Sequence, residues 1–329
     1  MFKNGLKGGL MQFRSIAPAL AALALVTSTV ACARVGQLQA QKAFKDGNQA
    51  YQAQDYRKAA ADYKEAVEAN PDLGVAYFFL GNSEDNLWKP SKKGDPANDK
   101  LLTDAVDNYE KCADKLATTQ DPTEKNIRTR ALQYLVAAYG ADKLNDPAKA
   151  EPVVIKMIQL DPSDAGNYFA LAKIYEDAAA YPEAEQVLMR AKDAQPANPA
   201  VYMQLAGYYN RMGEFDKTID ALEQRSQKEP NNPEAFYTIA TYYWDEAYRD
   251  TRLKESDKKL YIQKGIDAID KALMIKPDYA EALVYKGLLL RLQATVEKDP
   301  AKQQALLKEA DQVRDKAQDL RKQKTAGTD

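Results

Sequence analysis

The chain has 329 residues, of which 45% are hydrophobic and 29% are charged, and its formal net charge is -2. It contains no histidine, which excludes a Ser-His-Asp triad and the usual zinc clusters. Basic and acidic residues are interspersed along the chain, as on solvated helical surfaces, so we expect no nucleic-acid binding.

An apolar run near the N-terminus predicts export. Residues 1–15 carry Lys3, Lys7 and Arg14 and no acidic residue, and the stretch IAPALAALALVTSTVA follows directly. A basic start, an apolar stretch of this length and small residues at its end are the features of a secretory signal. The stretch is too short and too rich in Ala and Thr for a membrane span. Met11 is an alternative start that would give a more compact signal. We expect an exported, periplasmic protein.

Two cleavage sites compete at the end of this signal. The tripeptide ACA is a small-x-small site, and cleavage after it removes residues 1–33 and gives a soluble protein. The tripeptide VAC that ends at Cys32 resembles the end of a bacterial lipobox, although Thr29 stands where leucine is usual. Cleavage before Cys32 would remove residues 1–31 and leave that sulfur as a lipid anchor. Either cleavage leaves Cys112 as the one free thiol, so we expect no disulfide.

The remainder of the chain is built from a repeated sequence pattern. AGNYFALAKIYEDAAAYPEAEQVLMRAKDAQPAN (165–198) aligns without a gap with PAVYMQLAGYYNRMGEFDKTIDALEQRSQKEPNN (199–232). Each segment has an aromatic residue, a leucine-alanine pair and a tyrosine, and later a small residue, a leucine and a proline. In the first segment these residues are Tyr168, Leu171, Ala172, Tyr175, Ala184, Leu188 and Pro196, and all but Ala184, which becomes threonine, recur at the same positions of the second segment.

This pattern resembles the tetratricopeptide repeat (TPR), in which each repeat is a pair of antiparallel helices. The resemblance implies an all-α fold, a right-handed α-solenoid of helix-turn-helix repeats that occupies residues 34–329 as a single domain. Small residues let the paired helices approach, and the terminal proline ends the second helix. The register gives repeats near 40–73, 74–121, 131–164, 165–198, 199–232, 233–279 and, in degenerate form with an irregular second helix, 280–322.

Several segments depart from the regular pattern. The insertions 88–100 and 248–259 are charged and fall at the turn between paired helices, where they are either tolerated surface segments or contact loops for a partner. Asp121 is expected to cap a lengthened helix whose first turn contains Pro122. Cys112 falls at a position for a small core residue, so we expect a buried, unreactive thiol.

The resemblance also implies a binding surface. In TPR proteins the first helices of successive repeats line a concave groove that binds peptides or protein segments. Many residues at the corresponding positions are aromatic or long and apolar, which suits protein binding, and packing against the next repeat is the alternative. The expected groove residues are Phe44, Asn48, Tyr51, Phe78, Asn82, Leu135, Tyr139, Phe169, Lys173, Met203, Arg211, Tyr237, Trp244, Val284 and Arg291.

The sequence therefore favours an exported scaffold that binds protein segments in this groove, with TPR lipoproteins of envelope and pilus assembly as functional analogues. The alternative is a protein that binds cell-wall sugars by stacking them on groove tyrosines and on Trp244. An enzyme is not expected, because the chain lacks both histidine and a glycine-rich phosphate loop. No cofactor or metal is expected, and the partner and the oligomeric state stay open.

Overall fold

The computed structural model describes the backbone of residues 17–326 and the side chains of residues 34–324. Within this part of the chain every regular element is helical. A short 3-10 helix over Pro90–Lys92 follows the third α-helix. The α-helices are α1 (Ala17–Gln52), α2 (Tyr56–Ala69), α3 (Gly74–Leu87), α4 (Pro96–Lys115), α5 (Pro122–Tyr139), α6 (Pro147–Leu160), α7 (Ala165–Asp177), α8 (Tyr181–Ala194), α9 (Pro199–Arg211), α10 (Phe215–Lys228), α11 (Pro233–Arg249), α12 (Glu255–Ile275), α13 (Ala280–Val296) and α14 (Pro300–Ala326).

The chain forms two compact units that divide between Val153 and Val154, within α6. In the first unit α1 packs on α2, and α3 packs on α4. In the second unit the pairs are α7 with α8, α9 with α10, α11 with α12, and α13 with α14. Within each unit the pairs stack in chain order, as in a helical solenoid, which confirms the predicted all-α fold class. A single domain over residues 34–329 stays a prediction.

The starts of the first helices in the regular repeats follow from capping residues. The side chains of Asp164, Asn198 and Asn232 each accept a hydrogen bond from the backbone N–H two residues later, at 2.9 to 3.0 Å. An oxygen at this position satisfies one of the N–H groups that the first turn of a helix leaves without a partner. After α9 the chain reverses at Gly213, whose φ of 73° is a conformation that glycine adopts without strain.

Alanine and leucine fill the space between paired helices as the repeat pattern predicts. Ala184 and Ala191 of α8 are fully buried, and Leu171 and Leu188 are 2% exposed. Removing one leucine side chain of this kind from water contributes about 2–3 kcal/mol. Cys112 is also fully buried and free, and burial raises the pKa of its thiol to about 12. The prediction of a buried thiol is therefore confirmed, and its lack of reactivity stays a prediction.

The insertions extend helices more than they form loops. Helix α4 begins at Pro96 behind the capping side chain of Asp95 and has 20 residues, against 14 in α8. Helices α11 and α12 have 17 and 21 residues, and only residues 250–254 lie between them. Most of the added residues are therefore helical, because polar side chains such as lysine and glutamate favour helix and a new capping residue can move the turn along the chain.

The two ends of the array also differ from expectation. Helix α1 begins at Ala17, whereas the first repeat was expected to begin near residue 40. Helix α14 is one continuous helix of 27 residues, whereas an irregular one was expected. Residues 1–16 and the side chain of Cys32 lie outside the described part, so the signal and the lipid anchor stay predictions. Among the helices that the structure describes, none is both long enough and apolar enough to span a membrane.

Candidate protein-binding surface

In the first unit, four of the expected groove residues are buried. They lie in the packing between helices, where a partner would not reach their side chains. Tyr139 shows how such a residue is held, because its hydroxyl donates a hydrogen bond to Glu110 Oε1 at 2.8 Å. The four buried residues are Phe78, Asn82, Leu135 and Tyr139.

The other three expected residues of the first unit are half-buried and already have partners. The Tyr63 hydroxyl donates to Asn48 Oδ1 at 2.8 Å, and the Tyr51 hydroxyl donates to Asn82 Oδ1 at 2.5 Å. The ring of Phe44 lies 5.6 Å from the ring of Tyr63, measured between centroids. These contacts favour packing, the alternative to binding, for this end of the chain.

In the second unit, three of the expected residues border an open cleft. The cleft has a volume of about 630 Å³ and lies between α7 and α9, with Leu188 of α8 at its base. Phe169 and Lys173 line it from α7, and Arg211 lines it from α9. The Arg211 guanidinium donates to both carboxylate oxygens of Glu176, at 2.8 and 2.9 Å. Lys173 pairs with Asp177 at 2.5 Å, and the exposed Met203 lies elsewhere on α9. The charges of the cleft are therefore mostly neutralised by one another.

Next along the second unit, five aromatic rings form a continuous row between α11 and α13, which we call the aromatic row. Successive ring centroids are 5.1 to 5.6 Å apart, a normal separation for interacting aromatic side chains. In order, the rings belong to Tyr279, Tyr237, Tyr285, Trp244 and Tyr248.

Solvent reaches the whole aromatic row. Tyr248 is 61% exposed, although its ring is parallel to that of Trp244 within 8°. The other four rings are partly exposed. Burial raises the pKa of Tyr237 to about 12, and the nearby phenols and carboxylates contribute to the same shift, so its hydroxyl is neutral and able to donate near neutral pH. The row thus offers apolar ring surface and hydroxyl donors together.

Three members of the aromatic row were missed from the sequence. Tyr248 falls inside the segment taken for an insertion, although it stands four residues after Trp244 and so shares its helix face. Tyr285 directly follows the expected Val284, which is half-buried. Tyr279 is the residue that precedes the first turn of α13. The helical spacing of Tyr237, Trp244 and Tyr248 was the one signal that could have extended the site.

The last expected groove residue is engaged with the C-terminal helix. The Arg291 guanidinium donates to Asp311 Oδ1 of α14 at 2.6 Å. Its charge is therefore neutralised within the second unit. In residues 34–324, whose side chains the structure describes, no cluster of Cys, Asp and Glu side chains could hold a metal ion.

Comparisons with known proteins match part of the chain to a repeat family. The family model described as tetratricopeptide repeat matches residues 141–208. The C-terminal part of a TPR repeat-containing protein from Cytophaga hutchinsonii is similar in fold, with a TM-score of 0.53 at 16% identity over 84% of this chain and 98% of that one. No curated protein sequence matches the chain significantly.

Two further solved structures are similar at lower scores. A tetratricopeptide repeat protein from Parabacteroides merdae has a TM-score of 0.43 at 14% identity, over 83% of this chain and 99% of that one. MamA from Desulfovibrio magneticus has a TM-score of 0.39 at 14% identity, over 59% of this chain and 96% of that one. Of these three structures, the Cytophaga hutchinsonii protein is the one with a TM-score above 0.5.

Proposed function

We propose that the second unit of the chain binds an extended segment of a partner protein. Residues 141–208 match the tetratricopeptide-repeat model, and such repeats generally serve as scaffolds for protein partners. The observation that carries this proposal is the aromatic row. Tyrosine and tryptophan are enriched in protein interfaces, because they bring a large apolar area together with a hydrogen-bonding group. Binding, and no catalysis, is the role proposed.

The length of the aromatic row suits an extended segment. Four ring-to-ring steps of 5.1 to 5.6 Å add up to about 21 Å, an upper limit for the length of the row, which corresponds to at most about six residues of extended chain. The cleft between α7 and α9 lies in the same unit and adds a second place where a longer segment could be held. A partner segment of six to about twelve residues is therefore proposed.

We propose further that this binding takes place outside the cytoplasm, in envelope or pilus assembly. The support is the basic start of the chain and the apolar run that ends at Ala31. In the lipidated form, several acyl groups on Cys32 would anchor the protein stably, whereas one acyl group binds a membrane only marginally. The mass of the mature N-terminus tests this: a lipid-modified Cys32 supports the anchor, and an unmodified chain that starts at Arg34 refutes it.

Crosslinking in intact cells tests the proposed binding surface. A photo-crosslinking phenylalanine analogue replaces Tyr248 in one variant and Met274 of α12 in another. The Met274 side chain is 82% exposed and that of Tyr248 is 61% exposed. Position 274 therefore shows how much protein is captured because a side chain is exposed, without a binding site. We expect a discrete partner protein at position 248 and none at position 274. Equal capture at both positions would contradict the proposal.

A triple variant then tests whether the captured partner depends on the wider face. Phe169, Met203 and Trp244 are changed together to alanine, which removes large contact side chains from three successive first helices. The adduct at Tyr248 should be lost, while circular dichroism still reports the full helix content. An undiminished adduct would refute the assignment of this face.

Cell-wall sugar is the second candidate ligand, and one observation favours it. The parallel Trp244 and Tyr248 rings leave a flat aromatic surface exposed, and flat aromatic surfaces also stack on sugar rings. Retention of the protein on purified cell-wall polysaccharide, lost on Trp244→Ala, would favour this candidate. Capture of a protein at position 248 without such retention would favour the segment-binding scaffold.

A further inference from the structure

Two exposed carboxylates stand beside the aromatic row. Glu234 lies in the first turn of α11 and Glu281 in the first turn of α13. Both act electrostatically on Tyr237 and Tyr279, which places them at that end of the row. Both are exposed, and within residues 34–324 neither side chain has a hydrogen-bond or ion-pair partner. A helix N-terminus favours an acidic residue at each position, but it supplies only a partial positive charge.

The arginines near the aromatic row do not neutralise these carboxylates. Arg249 of α11 pairs with Asp245 at 2.7 Å, and Arg291 of α13 pairs with Asp311 at 2.6 Å. Two lysines also lie near this end of the row, Lys276 over the Tyr279 ring and Lys316 at the Pro277 carbonyl oxygen, and Asp278 adds a third acidic residue. Three carboxylates against two lysines leave a small excess of negative charge at the end of the row.

The rings themselves also favour a cation. An aromatic ring has a negative face, and a lysine or arginine within about 6 Å of the ring centroid is attracted to it. Lys276 demonstrates this at the end of the row, because its Nζ lies 5.3 Å from the ring centroid of Tyr279. The ring faces and the carboxylates thus both favour a positively charged ligand group.

We propose that the segment bound at the aromatic row is cationic. Arginine or lysine side chains of an extended segment lie on the ring faces of Tyr237 and its neighbours and reach the carboxylates of Glu234 and Glu281. This inference rests on the proposed function and specifies the chemistry of the partner. Arginine suits the site best, since its planar guanidinium stacks on rings and pairs with carboxylate through two hydrogen bonds.

Two synthetic peptides test the proposal on the full chain. One is a capped nine-residue peptide in which arginine alternates with serine, and the other has citrulline in place of each arginine. Citrulline keeps the shape of arginine and lacks its charge. Titration calorimetry should show that the arginine peptide binds about tenfold more tightly, the effect of a cation–π contact combined with exposed ion pairs. Equal affinity for both peptides, or no binding of the arginine peptide at millimolar concentration, would overturn the proposal.

Variants locate the effect. Glu234→Gln with Glu281→Gln should reduce the difference between the two peptides to less than threefold. The matched control is Glu183→Gln with Asp216→Asn, which removes the same charge from the exposed first turns of α8 and α10 and should leave the tenfold difference intact. An equal reduction in both double variants would mean that net charge, and not the aromatic row, selects the peptide.

An array of random twelve-residue peptides separates failure of this inference from failure of the proposed function. If the peptides that bind the wild-type chain are enriched in arginine and lysine and do not bind the Trp244→Ala variant, the result supports both the proposed function and the cationic segment. If the bound peptides depend on Trp244 but are not enriched in arginine and lysine, the proposed function stands and the cationic segment is refuted. An array with no peptide that depends on Trp244 refutes the proposed function itself.

Discussion

The ion pair between Asp85 and Lys143 allows a quantitative test of packing in the first unit. Lys143 Nζ lies 2.5 Å from Asp85 Oδ1 and 5.8 Å from the ring centroid of Trp88. The Asp85 side chain is 8% exposed and the Lys143 side chain 23% exposed. Lys93 of the 88–100 insertion also donates to the Lys143 carbonyl oxygen at 2.8 Å. The pair therefore joins the end of α3 to the connection between α5 and α6.

Lys143→Met should destabilise the first unit strongly, because it leaves the Asp85 carboxylate buried without its counter-charge. Removing one partner of a fully buried pair costs about 3–5 kcal/mol, and an exposed pair contributes about 0–1 kcal/mol. Lys143 is partly exposed, so we expect a loss of about 2–3 kcal/mol in the free energy of unfolding. Adding Asp85→Asn should recover most of it, because no unpaired charge then remains.

The assay is urea unfolding followed by tryptophan fluorescence. The chain has two tryptophans, one in each unit, so a Trp244→Phe background leaves Trp88 as the reporter of the first unit. Lys100→Met is the matched control, since it breaks an exposed pair with Asp104 on α4.

The control should change the free energy of unfolding by less than about 0.5 kcal/mol. A Lys143→Met effect no larger than that of Lys100→Met would refute the reasoning. So would an Asp85→Asn, Lys143→Met double variant that is less stable than Lys143→Met alone.

Three further predictions concern a buried carboxyl group, a buried thiol and the space around two glycines. Burial raises the pKa of Glu84 from 4.5 to about 7, so the stability due to its protonated form is full below pH 4.5 and is lost as the pH rises through 7. Glu84→Gln should therefore raise the free energy of unfolding by about 1–3 kcal/mol at pH 8 and leave it unchanged at pH 4, as urea titrations at both values would show. In a Cys32→Ser variant the Cys112 thiol should react with a thiol reagent at pH 8 only when urea unfolds the protein, and rapid reaction without urea would contradict its burial. Gly81→Ala places a Cβ 2.9 Å from a backbone carbonyl oxygen of α4 and should destabilise by about 1–3 kcal/mol, whereas Gly207→Ala meets only the end of an arginine side chain at 3.3 Å and should be neutral or stabilising in thermal unfolding.

The repeat pattern predicts most of the fold because spacing alone determines which residues a helix pair buries. Tyr168, Leu171 and Ala172 are buried, and so are their counterparts in the next repeat. The proline that ends one repeat and the Asp or Asn that caps the next are both visible in the sequence, at Pro162 and Asp164 for example. Asp121 caps α5 as predicted, by accepting hydrogen bonds from two backbone N–H groups.

The candidate site is predicted less well, because it depends on contacts between repeats. Position within a repeat places Phe78 and Leu135 in a groove, but neighbouring helices bury both. The repeat over 233–279 is longer than the regular repeats, so counting by the period assigns Tyr248 to an insertion when it in fact extends the face of α11. The aromatic row forms where α11 and α13 approach each other. The spacing of residues within one repeat does not predict which side chains of two different repeats come into contact.

Titration of the partner segment captured at position 248 tests the central claim most directly. The segment, made as a synthetic peptide, is titrated into the wild-type chain, into Trp244→Ala and into Met274→Ala. The proposed function predicts a loss of affinity of at least about thirtyfold for Trp244→Ala, since a central interface tryptophan contributes about 2 kcal/mol or more. It predicts no change for Met274→Ala. An affinity that Trp244→Ala leaves unchanged would contradict the claim that the aromatic row binds the partner.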